Sequence, residues 1–270
     1  MLRVSLDKKG RPRDIERVDI ADADGARLAQ GTGLEADVDD FFEDLDRALD
    51  HLLDGDLDGA PHHLADLYDT APIRFVGARR ADRILGAEGQ NAIKARGGDD
   101  VVLGSLGKDK VNGGKGDDGI YYGAVEVKPR QTGVSADLEK HKAVIDGDRQ
   151  TIRRFEALGG TRGQDKLAGD DRGNVLSGGE GNDTLEGGGG TDALTGGAGE
   201  DEFRLSSESG ADLATDFEVG TDRIRANVGF PDLTFADVEG GTQIRTSGGD
   251  LVGTIAGVDA ATLDGAAHFL

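Results

Sequence analysis

Gly178-Gly179-Glu180-Gly181-Asn182-Asp183-Thr184-Leu185-Glu186 is the stretch that decides how this chain folds. Glycine fills its first, second and fourth places, a carboxylate the sixth and a large apolar residue the eighth. The next two nonapeptides, GGGGTDALT from Gly187 and GGAGEDEFR from Gly196, repeat it in register. Working outward, the same frame begins at Gly160 and Gly169, and an earlier block begins at Gly77, Gly86, Ala95, Gly104 and Gly113. The sixth place holds Asp82, Asn91, Asp100, Asp109 and Asp118, then Asp165, Asn174, Asp183, Asp192 and Asp201. The eighth holds Ile84, Ile93, Val102, Val111 and Ile120, then Leu167, Leu176, Leu185, Leu194 and Phe203.

Each place has a physical reading. Clustered glycines allow a tight turn with φ > 0 or close backbone approach. Such a turn lets backbone carbonyls converge, and the sixth-place carboxylate adds a charged oxygen at the same point. Carbonyls plus carboxylates suit calcium, which takes six to eight oxygens at about 2.3–2.6 Å. The last three residues of a row are too few for an isolated strand. With the eighth pointing inward, stacked rows form a short parallel sheet around a thin aliphatic core. A flexible Gly/Asp linker does not explain a locked register of Asp or Asn with an apolar residue two places on.

Composition excludes other classes. The 270 residues include 53 acidic and 31 basic side chains, for a net charge of −22. That charge opposes nucleic acid, whose phosphates must be neutralised. Glycine numbers 45, against nine Phe, three Tyr and no Trp, too few large side chains for a conventional core of this length. No apolar run is long enough to span a membrane, so no membrane insertion is expected. Zero Cys removes disulfides and thiolate sites, and five Pro with no three-residue glycine period remove collagen.

The rows resemble the RTX, or haemolysin-type, calcium-binding nonapeptide GGxGxDxUx, with U a large apolar residue. The resemblance implies a right-handed parallel β-roll, two rows per turn, binding several calcium ions between loops two rows apart. Carried over, the stacked pairs are Asp82/Asp100, Asp100/Asp118 and Asn91/Asp109, then Asp165/Asp183, Asp183/Asp201 and Asn174/Asp192. Asp183 faces two such positions. Asp201 faces one, unless a tail residue such as Asp212 or Asp216 completes another. Arg79 and Arg80 inside the first loop, Ala95 in place of a glycine, and Arg172 beside Asn174 depart from the pattern and set the Asp82/Asp100 and Asn174/Asp192 pairs apart. The family also implies a secreted, extracellular protein using a type I route, whose function is calcium-gated folding. The alternative is an extracellular module that recognises a glycan or protein partner.

The expected organisation is a helical N-terminal region over 1–76, roll blocks over 77–121 and 160–204, a roll continuation without calcium loops over 122–159, and a β-rich cap over 205–270. Strand patterns fall at 124–127, 133–138, 143–145 and 151–155, and in the tail at 222–225, 233–235, 243–246 and 251–255. The N-terminus turns charged within its first residues, so no secretory signal peptide is expected there. The ending Ala266-Ala267-His268-Phe269-Leu270 is compatible with an uncleaved export signal.

An amphipathic, acidic helix is expected over 34–53, with a further helical piece over 62–68. Asp54-Gly55-Asp56-Leu57-Asp58-Gly59 matches half of an EF-hand loop, but Ala65 stands where the bidentate Glu belongs, so an acidic turn is the better reading. Gly31-Thr32-Gly33-Leu34-Glu35-Ala36 matches a dinucleotide fingerprint without its βαβ context. None of the five His lies in HExxH, and no GxSxG elbow occurs. No catalytic residues are expected.

Overall fold

The computed structural model describes residues 18–21, 27–31, 73–86, 89–125, 132–207, 210–263 and 265–270. The helices expected over 34–53 and 62–68, the Asp54–Gly59 loop and the dinucleotide-like motif beyond Gly31 lie outside the described residues. β1 (Val18–Ala21) and β2 (Arg27–Gly31) pair antiparallel.

From Ile73 onward the rows build two sheets. A short strand forms at the end of each row, where the glycines thin out. One sheet takes β3 (Ile73–Val76), β5 (Asn91–Lys94) and β7 (Lys110–Asn112); the other takes β4 (Arg83–Leu85), β6 (Val101–Leu103) and β8 (Gly119–Tyr121). Pairing is parallel with Val102 beside Ile120, a step of 18 residues, so two rows make one turn. The second block repeats this with β13 (Gln164–Ala168), β15 (Thr184–Glu186) and β17 (Glu202–Leu205) facing β14 (Val175–Glu180) and β16 (Ala193–Ala198). The eighth-place residue of every row is buried, so each sheet contributes one file of apolar side chains to a thin core along the roll axis.

The blocks are joined asymmetrically. In one sheet β9 (Thr132–Asp137), β10 (Lys142–Ile145) and β11 (Asp148–Arg153) lie between β13 and β7, with β10 antiparallel to both neighbours. In the other sheet only β12 (Ala157–Gly159) separates β8 from β14. The sheets therefore differ by two strand spacings, about 9–10 Å, over this segment. Tyr122 and Phe155, fully buried, lie in this segment with Val134, Ala143, Ile145 and Ile152. Asp146 and Gly147, both with positive φ, close the β10–β11 hairpin. Of the expected strand at 124–127, Ala124 lies in a turn, and residues 126–131 are outside the described set.

Parallel stacking continues past Arg204. β18 (Leu213–Ala214) adds to β16, and β19 (Arg223–Ala226) adds to β17. An antiparallel meander of β20 (Leu233–Val238), β21 (Gly241–Thr246) and β22 (Leu251–Ala256) then docks through β22 on β18. Phe230, Phe235 and Phe269 pack together, with ring centroids 5.2–6.1 Å apart. α1 (Ala260–Leu263) is the single α-helix among the described residues. The Leu270 N–H donates to the Ile224 carbonyl, tying the end of the chain to β19.

Candidate metal centres

All six expected pairs stack. The backbone N–H of each upper residue donates to Oδ1 of the aspartate 18 places on: Asp82 to Asp100 at 2.8 Å, Asn91 to Asp109 at 2.7 Å and Asp100 to Asp118 at 2.8 Å. In the second block the same bond joins Asp165 to Asp183 at 2.8 Å, Asn174 to Asp192 at 2.7 Å and Asp183 to Asp201 at 2.8 Å. Nine of the ten side chains are buried, and Asp82 is half-buried. One carboxylate oxygen thus has a structural task in the ladder, and the other is left to the loop.

What the second oxygen meets divides the rows into two kinds. Oδ2 of Asp100, Asp118, Asp183, Asp192 and Asp201 is buried with no hydrogen-bond partner among the described residues. In these rows the second place, Arg96, Gly114, Gly179, Gly188 or Gly197, has positive φ. The rows of Asp82, Asp109, Asp165 and Asn174 are closed on themselves. The second-place N–H of Ala78 donates to Asp82, that of Thr161 to Asp165 at 2.7 Å and that of Asp170 to Asn174 at 2.7 Å. Ser105 and Thr161 also donate their hydroxyls, to Asp109 Oδ2 at 3.1 Å and to Asp165 Oδ1 at 3.0 Å. A left-handed second residue turns its N–H away from the sixth side chain, and that leaves the carboxylate oxygen bare.

Arg172, in the fourth place of a closed row, pairs with Glu156 and with Asp170 at 2.7 Å. Asn174 spends its oxygen on Asp170 and its nitrogen on the Glu156 carbonyl at 3.3 Å. The arginine departures noted in the sequence therefore coincide with loops that satisfy themselves, whereas Ala95 begins the row of Asp100, which stays open.

Carbonyls complete the open loops. A Cβ placed on Gly178 would lie 2.2 Å from Asp183 Oδ2 and 2.5 Å from the Gly196 carbonyl oxygen, so those two oxygens crowd one point. The Gly179 carbonyl points the other way, toward the next row on the same edge: a Cβ on Gly197 would meet it at 2.0 Å. Among the described residues no three His, Cys, Asp or Glu side chains form a group suited to a metal ion. A cation held here would draw on one or two carboxylates and a larger share of backbone oxygens. An all-oxygen donor set with buried, unpartnered anionic atoms fits a hard divalent ion of calcium's size and flexible geometry.

Burial without a partner pushes these acids upward. Desolvation raises Asp118 and Asp201 to about 6 and Asp183 to about 7, from 3.8, with the stacked carboxylates adding to the rise. Asp100 and Asp192 are raised by the same cause.

Asp212, Asp222, Glu156 and Gln150 take sixth-place positions that the nonapeptide frame does not reveal, and Asp216 caps a first- and second-place glycine pair. Asp222 accepts the Asp201 N–H at 3.0 Å, so Asp201 is sandwiched, and by Asp222 rather than by Asp212 or Asp216. Asp212 sits one turn beyond Asp192, fully buried, with both oxygens unpartnered; desolvation and the Asp192 carboxylate raise it to about 7. Asp216 accepts the N–H groups of Gly196 and Gly197 at 2.8 and 2.9 Å. Glu156 accepts the Asp118 N–H at 2.9 Å, and Gln150 lies level with Asp109.

The family model of the RTX calcium-binding nonapeptide repeat matches residues 76–111, 95–124 and 168–203. No curated protein sequence matches the chain. Among solved structures, the chain is similar to the extracellular lipase LipA from Serratia marcescens, at 17% identity and a TM-score of 0.28, over 80% of this chain and 41% of that one. The chain thus spans well under half the length of that lipase. The 18-residue ladder, the glycine turns and the matched residues agree: over 76–124 and 168–203 this chain carries RTX calcium-binding nonapeptide repeats, folded as a parallel β-roll.

Proposed function

We propose that the open loops bind calcium and that binding folds the roll outside the cell. The observation that carries this reading is the set of buried, partnerless carboxylate oxygens on Asp100, Asp118, Asp183, Asp192, Asp201 and Asp212. Asp100 and Asp118 would serve the first block, Asp183 and Asp201 one edge of the second, and Asp192 with Asp212 its other edge. Without a cation these acids repel one another and lack hydration, and a thin core between two short-stranded sheets offers little to offset them. Calcium neutralises the file and ties successive turns together. Each site adds RT ln(1 + [Ca]/Kd), about 2.7 kcal/mol at a hundredfold excess over Kd.

Low cytosolic calcium would then keep the chain extended for export by a type I route, and external calcium would fold it. Circular dichroism of the full chain tests this. Chelated protein should be largely disordered, calcium at about millimolar levels should induce β-structure cooperatively, and magnesium should substitute poorly because it demands smaller, near-octahedral geometry. A folded spectrum in excess chelator at neutral pH would overturn the proposal.

A further inference from the structure

Gln150 lies on β11 at the level where another aspartate would extend the Asn91–Asp109 file, since Thr151 pairs with Lys110 and Ile152 with Val111. It is 2% exposed. Its amide nitrogen lies 2.6 Å from the Ser105 carbonyl, 3.1 Å from the Gly107 carbonyl and 3.2 Å from Asp109 Oδ2. Three acceptors around one atom fix the orientation of the amide, because its oxygen turned that way would face three other oxygens. The Tyr122 hydroxyl donates to Oε1 at 2.7 Å and holds the amide from behind. The three acceptors come from the second, fourth and sixth places of one row. They are a carbonyl, a carbonyl and a carboxylate, the kind of donors a calcium ion would collect.

Asp109 is fully occupied as a result. Its Oδ1 accepts the Asn91 N–H at 2.7 Å, and its Oδ2 accepts from Ser105 and Gln150. We propose that the Gln150 amide stands in the cation position of the 104–112 row, so that this row closes without calcium. The inference rests on the calcium reading of the open loops and says which row is exempt from it. The joint between the first block and the inserted strands is then an internal polar clasp, formed by the chain alone, while the Asp100 and Asp118 rows on the opposite edge depend on the ion.

The test compares the full chain with Gln150→Ala, which vacates the position, and Gln150→Glu, which keeps the reach and supplies an anionic ligand. Calcium stoichiometry by equilibrium dialysis should rise by one equivalent per chain in each variant. Terbium, used as a calcium probe and excited through tyrosine, should emit more strongly in both variants, because Tyr122 borders the vacated position. If Gln150→Ala fails to fold, Gln150→Glu decides: it should fold in saturating calcium with the extra equivalent. Unchanged stoichiometry in both variants, or failure of Gln150→Glu to fold in saturating calcium, overturns the inference. Wild-type protein that binds no calcium overturns the calcium reading itself, which is a separate result.

Discussion

At Asp183 the two carboxylate oxygens have separate tasks, and a single substitution separates them. Oδ1 accepts the Asp165 N–H at 2.8 Å, and Oδ2 is bare. Asp183→Asn keeps an acceptor for the ladder and removes the charge. It should weaken calcium binding by about 1.5–3 kcal/mol, the scale of a charge-assisted contact, or roughly 10- to 100-fold, measured by isothermal titration. Loss of the roll in saturating calcium would show instead that the charge serves the fold. The same acids make the metal-free protein sensitive to pH. Their folded values, about 7 for Asp183 and about 6 for Asp118 and Asp201, lie above the ordinary 3.8, so the folded state holds protons that the unfolded chain releases. That contribution is complete below the unfolded value and is lost as pH rises through 6 to 7. In chelator, far-ultraviolet circular dichroism should therefore show more β-structure at about pH 5.5 than at about pH 8. Protons and calcium compete for the same oxygens, so half-saturating calcium should rise over the same descent. The opposite order of β-structure content would contradict the burial of these groups.

The nonapeptide row is the element that the sequence made legible, and its turn explains why some rows were not. Gly197 and Gly220 both have positive φ, 99° and 87°. A Cβ on Gly197 would strike the Gly179 carbonyl oxygen at 2.0 Å, whereas Gly220 has nothing within 4 Å. Gly220→Ala should cost about 1–2 kcal/mol of left-handed strain. Gly197→Ala should cost more, because backbone on both sides of the contact must part. Melting temperatures in saturating calcium compare the two, and equal shifts would mean that the close approach between turns is not needed. The ten rows could be read because each carries its own turn, sixth-place Asp or Asn and core residue, so neighbours need not be known. Asp212 and Asp222 keep the Gly-x-Asp spacing, from Gly210 and Gly220, and an apolar residue two places on, but lack the first- and second-place glycines, and the insertion of Leu205-Ser206 and Asp216 breaks the frame. Gln150 and Glu156 have no glycine two places earlier. Their one local mark is an apolar residue two places on, Ile152 or Leu158, a spacing any strand supplies. The expected strands at 133–138, 143–145 and 151–155 form, as Thr132–Asp137, Lys142–Ile145 and Asp148–Arg153. Their antiparallel insertion into a single sheet depends on long-range pairing that alternation cannot report.

On the scale of the whole molecule, the roll has two ends and two unequal sides. Ending the chain at Ala226 would strip β20, β21 and β22 and uncover the edge of β18, which pairs with β22 through Leu213–Thr254 and Ala214–Ile255. The shortened protein should melt lower in calcium and self-associate through the freed edge, read by calorimetry and sedimentation; an unchanged melting temperature and a monomer would show that the meander is not a cap. The ladder has one more consequence. Asp165, Asp183, Asp201 and Asp222 stand on successive strands of one edge, about 4.8 Å apart. Two unit charges in water interact by RT at a separation of about 7 Å. Once ionised, this edge is therefore a short linear polyelectrolyte, charged densely enough to hold a condensed sheath of monovalent ions as a nucleic acid backbone does. Calcium arriving at the roll displaces that sheath rather than entering bare water, so part of what drives loading is the entropy of the ions it releases.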